Sequence, residues 1–341
     1  MKQLLLAIPL SIMVGCGAKK ANKLTLETIT EEGIKEYANT ITEDELKTYL
    51  YTYASDEFEG RDTGEPGQKK AVAYLKEQYK RMGIPSAYGT DDYFQEIPAS
   101  YFNGAAKNDS ENVLAYIEGT EKPEELLVIS AHLDHVGVHD GKIYNGADDD
   151  GSGTVALLEI AEAFKKAKEA GLGPKRSILF LHVTGEEKGL YGSRFYAENP
   201  VFALENTIAN INIDMIGRVD PEHKDNENYI YVIGADRLST ELDDEVTRAK
   251  SMIADFSYDY KYNDRNDPQR IYYRSDHYNF AKNGIPSVFF FSGIHEDYHQ
   301  PTDTPDKINY PLMTKRTKLI FHAAWNLVNR DERIKVNRDG K

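Results

Sequence analysis

Residues 178–192 read ILFLHVTGEEKGLYG. The run from Ile178 to Val183 is apolar with no strict polar alternation, the pattern of a strand buried inside a sheet. It ends in Thr184-Gly185, and two glutamates follow side by side. Neighbouring residues of an extended chain face opposite ways, so Glu186 and Glu187 can share a cleft only if the backbone bends, which Gly185 permits. Adjacent surface glutamates are most often solvated loop residues. The ends of the other apolar runs argue against that reading here.

Similar short apolar runs occur at Val113 to Ile117, Leu126 to Ala131, Ile208 to Ile213, Tyr229 to Ile233 and Ser287 to Phe291. Helical patterns separate many of them. Thr42-Glu43-Asp44-Glu45 caps a stripe of Leu46, Leu50 and Tyr53, and Gly67 to Met82 carries Val72, Leu75, Tyr79 and Met82 before Gly83. Thr154 to Lys168 is a third helix. Strands apolar on both faces that alternate with helices imply an α/β fold with a mixed, mainly parallel sheet covered by helices. Such sheets bind ligands beyond the carboxyl ends of their strands.

Chemistry-bearing residues stand at those ends. His132-Leu133-Asp134-His135 follows Leu126 to Ala131, and Asn145-Gly146-Ala147-Asp148-Asp149-Asp150-Gly151-Ser152-Gly153 opens the next helix. Glu186 and Glu187 follow Ile178 to Val183, Asp214 follows Ile208 to Ile213, and Tyr298-His299-Gln300-Pro301-Thr302-Asp303 lies past Ser287 to Phe291. Histidines and carboxylates at one sheet edge are the inventory of a hydrolytic metal site, and that donor set suits zinc. Two metals about 3.5–4 Å apart need a bridging carboxylate and can hold a water or hydroxide between them. A further carboxylate must then move the water's proton to the leaving amine. Adjacent glutamates can divide ligation from base catalysis. No GxSxG elbow supports a serine nucleophile.

The series HLDH, GADDDGSG, GEE, NIDM and YHQPTD, in that order, resembles the M28 family of di-zinc aminopeptidases. Phe58-Glu59-Gly60-Arg61-Asp62-Thr63-Gly64 resembles the segment that opens that family's domain. The resemblance implies a three-layer α/β/α fold of the zinc-peptidase/phosphorylase-like type. It implies two zinc ions per chain, one held by His132 and Asp214, the other by Glu187 and His299, with Asp149 bridging. Glu186 would be the general base, Asp134 would orient the His132 imidazole through its carboxylate, and Tyr298 would stabilise the oxyanion. Substrates would be peptides with a free N-terminus. A one-zinc glutaminyl cyclase and a metallo-carboxypeptidase of the same fold are the alternatives. Asp148 and Asp150 read as shaping the turn and capping the helix, and His135, His139, His182, His223, His277, His295 and His322 read as structural. Ser275-Asp276-His277 resembles a segment near the site in that family. The loops at 220–228 and 256–274 are candidates to line a specificity pocket. The segment between Tyr101 and Val113 is too short for the protease-associated domain that some members insert.

The remaining composition bounds the partners. With 341 residues, 40% of them hydrophobic, the chain can bury a substantial core. A net charge of −15 argues against nucleic acid and anionic membrane surfaces. Lys2 and the apolar Leu4 to Val14 precede Cys16, the single cysteine. That arrangement is too short to span a bilayer and resembles a bacterial lipobox. The expected organisation is a lipoprotein signal peptide at 1–16, a tether and N-terminal segment at 17–40, and one peptidase domain at 41–335. The protein would be exported and lipid-anchored through Cys16, facing periplasm or cell exterior. The sequence sets no oligomeric state.

Overall fold

The computed structural model describes residues 31–340. The signal peptide, Cys16 and most of the tether lie outside these residues. Along the chain run helix α1 (Glu31–Ala38), α2 (Glu43–Tyr53) and α3 (Pro66–Met82), then strands β1 (Phe94–Ile97), β2 (Ser110–Ile117) and β3 (Lys122–His132). A small hairpin of β4 (Gly137–His139) and β5 (Lys142–Tyr144) precedes α4 (Gly153–Glu169), β6 (Arg176–Val183), α5 (Tyr191–Glu198) and β7 (Thr207–Ile213). The chain ends with β8 (Tyr229–Ile233), α6 (Ala235–Leu238), α7 (Thr240–Lys250), β9 (Ser257–Asp259), α8 (His277–Ala281), β10 (Ser287–Phe291) and α9 (Tyr310–Asn329).

Local sequence explains the helix ends. The Thr42 hydroxyl accepts the Glu45 N–H at 3.2 Å and donates to the Glu45 carboxylate at 2.7 Å, an N-cap for α2. Gly83 closes α3 with φ +66°, and Leu46, Leu50, Tyr53, Val72, Leu75 and Tyr79 are all buried. The one departure on that stripe is Met82, which is only partly buried.

The main sheet has the order β1-β2-β6-β3-β7-β10-β8-β9. Its centre, β6-β3-β7-β10, is parallel throughout. β1, β2 and β6 pair antiparallel in succession, β8 is antiparallel to β10, and β9 is parallel to β8. The apolar runs of the sequence fall on β2, β3, β6, β7, β8 and β10. The short strands β1 and β9 and the β4–β5 hairpin carry no comparable apolar signal, and packing against neighbours defines them.

Both faces are covered. Leu127, Ile129 and Ala131 of β3 pack with α2, α3, α4 and α9 in the larger core, while Leu126 and Val128 turn to the opposite face with Tyr196 of α5 and Phe280 of α8. This two-sided burial is the physical reason the central strands read as continuous apolar runs. It also fixes the site. Four adjacent parallel strands end at one edge, and their next residues are Glu186 and Glu187 after β6, Asp214 after β7 and the His299 loop after β10, with His132 the last residue of β3.

Candidate metal centre

At the carboxyl edge of the sheet, Asp149 stands between two histidines. Its Oδ1 lies 3.1 Å from His132 Nε2, and its Oδ2 lies 3.0 Å from His299 Nε2. Asp214 Oδ1 is 3.7 Å from His132 Nε2 on one side, and Glu187 Oε2 is 3.1 Å from His299 Nε2 on the other. The cluster therefore has two poles joined by one carboxylate. His132, Asp149 and Asp214 offer ligand atoms within 4.8 Å of one another, and so do His135, Asp149 and Glu187.

Asp149 Oδ2, Glu187 Oε1 and both ring nitrogens of His135 are buried and form no well-directed hydrogen bond, although Asp149 Oδ2 and Glu187 Oε1 lie 3.0 and 2.9 Å from imidazole nitrogens of His299 and His135. Buried polar atoms that converge without well-directed hydrogen bonds carry a high desolvation cost. A cation at each pole would satisfy them, and the nitrogen and oxygen donors suit zinc. The residues present therefore fit the metal.

Backbone geometry lets adjacent glutamates meet the same cleft. Gly185 has φ +68°, and a Cβ there would come within 2.9 Å of Phe102 Cε1. The Glu186 N–H donates to Asp134 Oδ1 at 3.2 Å, and the Glu186 carboxylate lines the cleft beside His132, Asp149 and Asp214. Burial pushes the Glu186 carboxyl well above the usual range, only partly opposed by the His132 charge. Burial also acts on Asp149, but the imidazoles of His132 and His299 outweigh it and hold that carboxyl well below the usual range. Tyr298 lines the same cleft, and the Arg274 Nη2 donates to its phenol oxygen at 3.3 Å. The far wall is apolar: Met215, Ile271, Phe289, Phe291 and Ile294. Of the two loops expected to line a pocket, 256–274 contributes Ile271 and Arg274, whereas 220–228 contributes no lining residue.

All eight candidate residues gather here, with differences of detail. His132 Nδ1 lies 3.0 Å from the backbone carbonyl of Asp134 and 3.8 Å from its carboxylate. The carbonyl, not the expected carboxylate, is thus the nearer acceptor for the imidazole. The Asp134 carboxylate instead accepts from the Thr63 hydroxyl at 2.7 Å and from Glu186 N–H. His135, read from sequence as structural, stands at the cluster itself. Its Nδ1 is 2.9 Å from Glu187 Oε1 and its ring packs edge-on to His299. The signal for it was present as a second histidine three residues after His132 at a strand end. Ser275 was not singled out as acting on a ligand, yet its hydroxyl donates to Asp214 Oδ2 at 2.6 Å and accepts from Asn212 Nδ2 at 2.8 Å.

The Phe58 to Gly64 segment also serves this edge. The buried Arg61 donates to the carbonyls of Leu133 (3.1 Å), Tyr53 (3.2 Å), Asn145 (2.6 Å) and Gly146 (2.8 Å). One guanidinium thereby ties the His132 turn to the loop that carries Asp149.

Fold and cluster together define an α/β protein with a two-pole centre of imidazoles and carboxylates at the end of a parallel sheet. Peptidase family M28 matches residues 112–324, and the chain belongs to that family. It is 31% identical over 222 residues to a probable leucine aminopeptidase of Arthroderma otae, covering 63% of this chain and 57% of that protein. It is 26% identical over 291 residues to leupeptin-inactivating enzyme 1 of Streptomyces exfoliatus, covering 78% and 57%. The chain thus spans little more than half the length of these curated relatives. Among solved structures, the LapA aminopeptidase of Legionella pneumophila superposes with a TM-score of 0.68 at 22% identity, over 90% of this chain and 77% of that one. The zinc aminopeptidase BSAP of Bacillus subtilis gives 0.62 at 16% identity, over 85% and 98%. At those identities the likeness is one of fold.

Proposed function

We propose that this chain is a zinc-dependent aminopeptidase that removes N-terminal residues from peptides, with two zinc ions at one edge of its sheet. The observation that carries the reading is Asp149, whose two oxygens face two different histidines at 3.1 and 3.0 Å. His132 and Asp214 would hold one ion, Glu187 and His299 the other, and Asp149 both. Bound zinc supplies positive charge that polarises a peptide carbonyl and makes a water more acidic.

The protein's own groups do the rest. Glu186 takes the proton of the attacking water and returns it to the leaving amine, a task for which its place in the cleft beside His132, Asp149 and Asp214 suits it. The Asp134 carbonyl accepts the His132 Nδ1–H, which leaves Nε2 as the lone-pair side facing the cluster. Arg274 donates to the Tyr298 oxygen, so the phenol's own proton is free to meet the carbonyl oxygen as negative charge develops there. A cleft with one carboxylate wall and one apolar wall suits an ammonium terminus carrying an apolar side chain. The names of the fungal relatives agree with that preference.

A panel of aminoacyl chromophores, N-blocked peptides and N-terminal glutamine peptides tests this reading. Hydrolysis of free-amino substrates alone, abolished by chelator and restored by zinc, supports it. Cyclisation of N-terminal glutamine with one zinc per chain, or release of C-terminal residues, replaces it with the cyclase or the carboxypeptidase. The reading also places the peptidase unit at 41–335 and lipidation at Cys16, outside the cytoplasm. Its support is the lipobox-like start of the sequence. Cys16→Ser would then move the protein from the membrane to the soluble fraction.

A further inference from the structure

The aspartates flanking Asp149 reach well beyond their own turn. Asp150 Oδ2 accepts the backbone N–H of His132 at 3.1 Å, and its Oδ1 accepts those of Met215 at 3.0 Å and Gly153 at 2.9 Å. Only the bond to Gly153 is the helix cap expected from sequence. The other two fasten the backbones of His132 and of Met215, the neighbour of Asp214. Asp148 reaches both loops, that of Asp214 through Gly217 and that of His299 through His295. Its Oδ1 accepts the Gly217 N–H at 2.6 Å, and its Oδ2 lies 3.1 Å from His295 Nε2. The Asp297 N–H donates to His295 Nδ1 at 3.2 Å, so Nε2 carries the proton and donates to Asp148. Asp303, four residues after His299, completes this side. Its carboxylate accepts the N–H of Asp148 at 3.0 Å and that of Asp149 at 3.1 Å. Asp148, Asp150 and Asp303 are fully buried.

We infer that Asp150 and Asp148 are positioning residues of different reach: Asp150 sets the His132–Asp214 pole, whereas Asp148, with His295 and Asp303, sets the His299 pole and also fastens the Asp214 loop at Gly217. This rests on the two-zinc reading. The physical reason lies in acceptor count. Each carboxylate serves N–H donors with both of its oxygens, and neither has an oxygen to spare. Asparagine has the same shape but offers one oxygen and one NH2, which would face an N–H group. The ligand loop on that side must then shift, and groups that orient metal ligands typically govern affinity by about 10–100-fold.

Zinc titration with a chelating indicator reads this without activity. In a His299→Ala background the His132–Asp214 pole remains. There Asp150→Asn should weaken zinc binding about 10–100-fold and Asp148→Asn by clearly less. In a His132→Ala background the order should reverse. His295→Leu gives an independent handle that leaves the aspartates intact: it should weaken the His299 pole, and His295→Gln, which keeps an N–H donor for Asp148, should restore it. Parent-like affinity in every variant overturns the inference. Equal loss at both poles together with a lower melting temperature of the metal-free protein also overturns it, because that marks a role in folding alone. A wild-type chain that binds one zinc overturns the two-zinc reading itself, and the division into poles with it.

Discussion

Glu186 and Glu187 share a peptide bond and face different surroundings. Glu187 Oε2 lies 3.1 Å from His299 Nε2 and its Oε1 lies 2.9 Å from His135 Nδ1, whereas the Glu186 carboxylate lines the open cleft. The two should therefore fail differently. Glu186→Gln should keep two zinc ions per chain and lose about 10²–10⁴-fold in kcat. Glu187→Ala should lose about one zinc equivalent. Metal analysis beside steady-state kinetics checks both, and near-normal turnover by zinc-loaded Glu186→Gln would remove Glu186 from the base role.

In the proposed mechanism Tyr298 acts through one proton. Tyr298→Phe deletes it while keeping the ring that stacks on His299 at 3.9 Å between centroids. Its kcat should fall about 10²-fold with KM and zinc content little changed. A rise in KM alone would make Tyr298 a binding surface instead.

Arg61 holds four carbonyls from three segments with one buried guanidinium. Arg61→Ala leaves those carbonyls without donors and opens a gap beside Tyr53, over whose ring the guanidinium lies at 4.7 Å. A loss of about 3 kcal/mol or more is expected, with weakened zinc retention. Arg61→Lys should recover little, because an ammonium cannot reproduce the planar fork. Denaturant melts of the metal-free protein, compared with zinc titrations, separate the two effects.

Glu159 is buried in α4 with one oxygen accepting from Thr42 N–H and the other unpartnered. Burial first, and then the Glu45 charge, raise its carboxyl from 4.5 to about 8. A folded pKa above the unfolded one penalises the folded state once the unfolded chain ionises. The penalty is absent below about pH 4.5, grows through the interval and is complete above about pH 8. Glu159→Gln removes it while keeping an oxygen for Thr42. The variant should melt about 3 °C or more above the parent at pH 8.5 and close to it at pH 4.5. Equal shifts at both pH values would assign the effect to packing.

Much of this molecule is readable before it folds, for identifiable reasons. The central strands bury both faces, so β2, β3, β6, β7, β8 and β10 announce themselves as apolar runs, and α2 and α3 carry local caps and stripes. The eight candidate residues are legible because each follows a strand or opens a helix. What escaped has no local signal. Ser275 acts on Asp214 from 61 residues away, and Asp150 meets Met215 across 65. His135 is the exception: its place three residues after His132 at a strand end was a signal in the sequence.

The sequence by itself determined the alternation of strand and helix, the sheet edge at which the reactive groups emerge and the chemical type of those groups. Those are properties of periodicity and residue identity. Tertiary structure alone decided that Asp149 splits its oxygens between His132 and His299, that the Asp134 carbonyl stands nearer His132 than the carboxylate does, and that Asp150 meets the backbone of His132 while Asp148 meets Gly217 and His295. Each of these depends on where a backbone N–H or C=O from another loop arrives. Every residue except proline carries both groups, so only the packed chain selects which of them meet.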